Sequence, residues 1–162
     1  MKRPLYVTLF LLACSALFLT CQKDSAPKTV TELLTNGSQK AWRVIAFTAN
    51  PGIDIDITGM GILTTDIFAT YKACNKDNLY IFKSDKSYTA EEGATKCNSN
   101  DPQIYLKSTW QLNNDETIIV IGNQNDLSIV SITENELIVT QSIKYGSPRP
   151  YVGIYTTTFV PN

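Results

Sequence analysis

The sequence predicts an all-β protein, an eight-stranded antiparallel up-and-down barrel with a short N-terminal helix. Three observations lead there. From residue 41 onward apolar residues no longer recur at helical spacing but gather in runs of five to nine, rich in Val, Ile, Thr, Tyr and Phe, which is the composition of strands. Between the runs stand short stretches of Asn, Asp, Gly and Lys, suited to antiparallel hairpins. Eight such strands in one small domain would expose two edges unless the sheet curls and closes on itself.

The helix comes first. Thr29-Val30-Thr31-Glu32-Leu33-Leu34-Thr35-Asn36-Gly37 has a threonine cap and a glycine stop around about one and a half turns. Strands are predicted over residues 41–48, 79–83, 87–91, 104–112, 117–121, 128–133, 136–142 and 152–160. Turns at Asp85-Lys86, Asn113-Asn114-Asp115, 122–126 and Glu134-Asn135 connect the later ones. Two stretches follow another pattern. Residues 50–65 hold Pro51, Gly52, Gly59 and Gly61 and read as a long loop or lid, continued by a short helical turn over 66–71 capped by Asp66. Residues 89–101 form the second long connection and must bring Cys97 back beside Cys74 if the two are joined.

Ahead of the domain, Met1-Lys2-Arg3-Pro4 is followed by the apolar run 5–20 and then by polar Gln22-Lys23-Asp24-Ser25, the layout of a secretory signal. A membrane span needs about 20 apolar residues to cross roughly 30 Å of hydrocarbon, and this run is shorter. It ends in Leu17-Phe18-Leu19-Thr20-Cys21, which resembles the lipobox of bacterial lipoproteins, where the cysteine becomes the lipid-modified first residue of the mature chain. Cys21 is the expected anchor. Leu11-Leu12-Ala13-Cys14 also fits the pattern, but cleavage there would leave an apolar core of nine residues and put the greasy stretch 15–19 on the mature protein. The organisation expected is therefore a signal over 1–20, a tether over 21–28 and one barrel domain over 29–162, close to the commonest domain size.

Charge and chemistry exclude several classes. Losing Lys2 and Arg3 with the signal reduces the 14 basic residues to 12 against 15 acidic ones, a net charge of −3. With no basic run to neutralise phosphates, nucleic acid is not an expected partner. The chain has no histidine, so the Ser-His and Cys-His pairs of nucleophilic catalysis and the usual near-neutral base are missing. A zinc site wants four ligands, and with Cys21 lipidated and Cys14 removed, Cys74 and Cys97 are the remaining thiols. In an exported chain such a pair is expected to be bridged, stabilising by roughly 3 kcal/mol in the chain-entropy model. Asp54-Ile55-Asp56 lacks the regular oxygen spacing of a calcium loop, and Glu91-Glu92 reads as a charged hairpin end rather than a glycosidase pair. Neither a metal, nor a cofactor, nor an enzymatic activity is expected.

Trp42 in the first strand, Thr65-Asp66-Ile67-Phe68-Ala69, Cys74-Asn75-Lys76-Asp77-Asn78, Tyr80, Phe82, Glu92-Gly93-Ala94-Thr95-Lys96-Cys97 and Ser108-Thr109-Trp110 together resemble the lipocalin-like lipoproteins of Bacteroidetes over residues 33–160. The resemblance implies a calycin-type barrel, a Cys74–Cys97 bridge and Trp42 packed at the closed end; it implies no particular ligand. Lys40-Ala41-Trp42 has lysine where a lipocalin-type Gly-x-Trp has glycine, and Asp85-Lys86 replaces the more usual Asp-Gly. Gln22-Lys23-Asp24 is similar to the charged residues that favour surface display in that phylum.

The aromatic residues Trp42, Tyr80, Phe82, Tyr88, Trp110, Tyr151, Tyr155 and Phe159 can either fill a barrel of this size or line a cavity in it. By strand alternation Tyr80 and Phe82 share an inward face, as do Tyr151, Tyr155 and Phe159, leaving Leu79 and Ile81 outward. The expected function is a non-enzymatic outer-membrane lipoprotein that binds a small apolar or glycan-derived molecule at the open end beneath residues 50–71. Trp42, Tyr80, Phe82, Trp110, Tyr155 and Phe159 are the candidate contacts. The alternative is a filled barrel serving as an accessory subunit for a protein partner in the envelope.

Overall fold

The computed structural model of the chain describes residues 26–54, 63–124, 126–145 and 151–162. The expected signal, Cys14, the Cys21 anchor, most of the tether, and Asp56, Gly59 and Gly61 lie outside the described residues.

The helix α1, Val30–Thr35, forms as its ends dictate. Thr29 accepts from the Glu32 amide at 3.2 Å while the Glu32 carboxylate accepts from the Thr29 amide at 2.7 Å, a reciprocal capping box. Asn36 then turns left-handed at φ 48° and stops it.

Nine strands follow: β1 Gln39–Asp54, β2 Leu63–Asp66, β3 Leu79–Lys83, β4 Ser87–Glu91, β5 Ile104–Leu112, β6 Ile118–Ile121, β7 Leu127–Ile132, β8 Leu137–Tyr145 and β9 Tyr151–Pro161. Consecutive strands from β3 to β9 pair antiparallel, β1 pairs with β3, and β9 returns to pair with β1. Eight strands thus close into the expected up-and-down barrel, with β2 as an addition. Its place is set by the length of β1. On one edge β1 pairs with β9 from Trp42 to Asn50; on the other its first residues, Gln39 to Arg43, pair with β3 and its upper part with β2.

The glycine-rich stretch is the main correction to the sequence reading. Residues 50–65 were expected to be a loop, but β1 continues through Pro51 and Gly52 to Asp54, and β2 pairs back along it. Glycine here permits close approach rather than breaking the strand: a Cβ on Gly52 would lie 3.0 Å from the Thr64 carbonyl oxygen. The expected turn after it is present as a 3-10 segment, Phe68–Thr70, with the Asp66 carboxylate accepting from the Ala69 amide at 3.0 Å. A second short helix, α2 Ala73–Lys76, was not anticipated.

The β3–β4 hairpin shows how a lysine replaces glycine. Lys86 sits at φ 69° and closes the turn by donating to the Lys83 carbonyl at 3.0 Å. Asp85 accepts from the Ser87 amide and hydroxyl, and the Lys86 ammonium lies 3.9 Å from the centre of the Trp110 ring, a contact that offsets part of the left-handed strain.

The lower half of the barrel is filled. Leu34, Trp42, Phe82, Trp110, Ile119, Leu137 and Val139 are buried in one cluster, with Phe82 and Trp110 edge to face at 5.7 Å. Helix α1 plugs this end, where the Trp42 indole donates to the Leu34 carbonyl at 3.1 Å. Trp42 therefore packs at the closed end as expected. Lys40, in the place of a glycine, lies 4.0 Å over the Trp42 ring and donates to the carbonyls of Leu33 and Glu134.

Candidate functional site

The open end is where β1 rises past β3, where β3 begins and β4 ends, and where β6 turns into β7. Because successive side chains alternate, and a register shift between Val44 and Ala46 resets the alternation in β1, Val44 and Phe47 on β1, Tyr80 on β3, Tyr88 on β4, Ile121 on β6, Leu127 on β7, Gln141 on β8 and Thr157 and Phe159 on β9 line one space, with Tyr71 and Gln124 completing its rim. The cavity so enclosed measures about 200 Å³.

Its wall is rich in aromatic rings. Tyr80 meets Phe159 edge to face at 5.5 Å, and Phe47 lies 5.3 Å from Tyr155 and 6.0 Å from Tyr71, which itself stands 5.8 Å from Phe68. Tyr71 is delivered by the segment between the 3-10 turn and α2, and that segment is fixed from two sides. The Ile67 amide donates to the Phe47 carbonyl at 2.9 Å, and Cys74 on α2 is joined by a disulfide to Cys97 in the β4–β5 connection.

Around the bridge the two long connections lock together. Asp77 accepts from the Thr95 amide at 2.9 Å and its hydroxyl at 2.8 Å. Gly93 passes so close that a Cβ there would sit 2.2 Å from the Asp77 carbonyl oxygen. Glu92, expected as part of a charged hairpin end, is buried, with its amide donating to the Gln103 carbonyl at 2.8 Å. The Asn78 amide, with its nitrogen turned toward it, donates to the Glu92 carboxylate at 3.2 Å and to the Cys74 carbonyl at 3.1 Å.

Burial governs the electrostatics. It pushes the phenols of Tyr80 and Tyr88 far above the ordinary tyrosine range, with the neighbouring Tyr105 adding to the effect at Tyr80 and Tyr80 at Tyr88. Tyr71 is raised by the same desolvation and by Tyr80. Among the described residues no charged side chain lines the cavity, and no group of three or more His, Cys, Asp or Glu is placed to hold a metal ion.

Of the six aromatic candidates, Tyr80 and Phe159 line the cavity, and Tyr155 touches its wall through Phe47. Trp42, Phe82 and Trp110 do not face it; they occupy the packed layer beneath, where α1 and the lower hairpins leave no space. Val44, Ile121, Leu127 and Thr157 were not singled out from the sequence, since their convergence depends on which strands face one another. Tyr71 sat in the expected lid without being assigned a contact. Leu79 and Ile81 point outward as expected but are half-buried.

A family model described as "Domain of unknown function (DUF5004)" matches residues 21–142. The chain belongs to that family. The stretch matched by the DUF5004 model begins at Cys21 and extends into β8, leaving β9, the strand that closes the barrel, beyond it. No protein with a curated description matches. Among solved structures the chain is similar to bovine odorant-binding protein complexed with its natural ligand, at 14% identity over 86% of this chain and 77% of that one, with a TM-score of 0.41. An odorant-binding protein from bovine nasal mucosa gives the same identity and coverage with a TM-score of 0.42. A complex of bovine odorant-binding protein with undecanal is also similar, at 14% identity, covering 86% of this chain and 77% of that one with a TM-score of 0.41.

Proposed function

We propose that this protein is a non-enzymatic cell-envelope lipoprotein, anchored in the outer membrane through Cys21, whose barrel binds a small apolar molecule at its open end. The observation that carries the binding reading is the cavity itself. Trp42, Phe82 and Trp110 are buried in the core cluster of the lower barrel, while the upper barrel keeps a space of about 200 Å³ whose lining includes Val44, Phe47, Ile121, Leu127 and Phe159. An empty apolar cavity of about 150 Å³ holds benzene, whereas drug-sized ligands occupy roughly 300–1,000 Å³. The space suits a molecule of one ring or a short chain.

The export reading rests on the basic start, the apolar run and Leu17-Phe18-Leu19-Thr20-Cys21, and the family match beginning at Cys21 supports it. Native mass spectrometry of protein purified from its own host tests the binding. A reproducible small-molecule adduct, absent from a Val44→Trp variant that fills the cavity, is expected; a bare chain across several preparations would sink the reading. Mass analysis of the mature N-terminus tests the anchor, with an acylated Cys21 expected and an unacylated chain, or one starting at Cys14, overturning it.

A second reading, an accessory subunit with a protein partner, draws on the outer face of β7, β8, β9 and β1. Thr48, Thr156, Thr140 and Ser128 lie in register across it, and Ile45, Val130 and Ile154 are 40%, 60% and 49% exposed. Exposed apolar residues of this kind mark contact surfaces when contiguous. Recovery of the host protein without an adduct but in a larger complex would favour it.

A further inference from the structure

We infer that the cavity selects an uncharged molecule of about one aromatic ring that carries a single hydroxyl, carbonyl or amide group, and that it rejects the matching carboxylic acids and amines. The inference rests on the ligand-binding reading and adds the chemistry of the occupant.

Two features of the wall argue it. The first is what its polar groups are: the phenols of Tyr71, Tyr80 and Tyr88, the amides of Gln124 and Gln141 and the hydroxyl of Thr157. All six are neutral and all can donate or accept a hydrogen bond, so they suit a hydroxyl or carbonyl. The second is that, among the described residues, no Lys, Arg, Asp or Glu side chain lines the space. On the rim segment the Lys76 ammonium lies 5.0 Å over the Phe68 ring, and neither Lys72 nor Lys76 is among the residues that line the cavity. A carboxylate or ammonium entering here would lose hydration and, among the described residues, meet no opposite charge on the wall, which is an expensive way to bury an ion.

The test uses four probes of one skeleton, benzyl alcohol, benzamide, benzoate and benzylammonium, titrated at neutral pH against the mature soluble domain with amide chemical shifts recorded. Benzyl alcohol and benzamide are expected to shift the resonances of Leu127, Thr157 and Phe159, with benzoate and benzylammonium at least about tenfold weaker at the same residues. The exposed rim variant Gln124→Lys supplies the missing countercharge and is expected to raise benzoate affinity relative to benzyl alcohol by about tenfold. Benzoate or benzylammonium binding the unaltered protein as well as benzyl alcohol does would overturn the selectivity while leaving the ligand reading in place. Silence of those resonances with all four probes would overturn both.

Discussion

At Lys40 a charged side chain is used to finish a hydrophobic floor. Its ammonium lies over the Trp42 ring and donates to two carbonyls at the closed end, and burial lowers its pKa, opposed by the nearby Glu134 carboxylate. Nothing in the sequence around Lys40 announces this, because Glu134 is 94 residues away. The resemblance to lipocalin-like lipoproteins implied Trp42 as a floor residue. Trp42→Phe keeps the ring but leaves the buried Leu34 carbonyl without its donor, and is expected to cost roughly 1–3 kcal/mol in chemical denaturation; an unchanged midpoint would show that water replaces the indole. The cavity tyrosines give a residue-scale test by pH. Their folded pKa values are raised by burial, so the stability they contribute is complete below the unfolded value of about 10 and is lost as pH rises above it. Phenolate absorbance should therefore rise in two stages on alkaline titration, the cavity tyrosines ionising only with unfolding. A single stage near pH 10 with the fold intact would contradict their burial.

At the scale of elements, the sequence pattern succeeded where local rules decide. The threonine cap of α1, the turn at Asp66 and the alternation of Tyr80 and Phe82 are set within a few residues, and all three are present. The same rules failed in β1, where Pro51 and Gly52 argue for a loop. Pairing with β2 and β9 holds that backbone extended, and tertiary context outweighed propensity, as it commonly does in sheets. Helix α1 is too short to be stable alone, so its cap and its packing must act together. Thr29→Ala removes one half of the capping box and is expected to lower stability by about 1 kcal/mol, read as a shift in thermal midpoint. A drop no larger than that of a nearby surface substitution would mean that Leu34 packing alone fixes the helix.

For the whole molecule, closure and the bridge are the two long-range constraints. The Cys74–Cys97 disulfide closes a segment of 23 residues and holds the Tyr71 segment over the cavity mouth. Removing it by a paired Cys74→Ser, Cys97→Ser substitution is expected to cost about 3 kcal/mol in the chain-entropy model and to weaken binding of benzyl alcohol. Denaturation curves that coincide with and without reductant would show that the bridge contributes nothing. That these two cysteines pair was expected from reading the chain as exported, with Cys14 removed and Cys21 lipidated, and the structure joins them.

The sequence by itself determined eight of the nine described strands and the helix with its caps, because alternation, capping and turn chemistry act between residues close along the chain; the closed-end place of Trp42 came from the family resemblance. The tertiary structure alone decided that β1 would be shared by β3, β2 and β9, and that the lower aromatics would fill the barrel while the upper ones enclosed a space. Which side chains meet across a barrel depends on register between strands as far apart in sequence as Val44 and Phe159, and a shift of one residue would turn each to the opposite face.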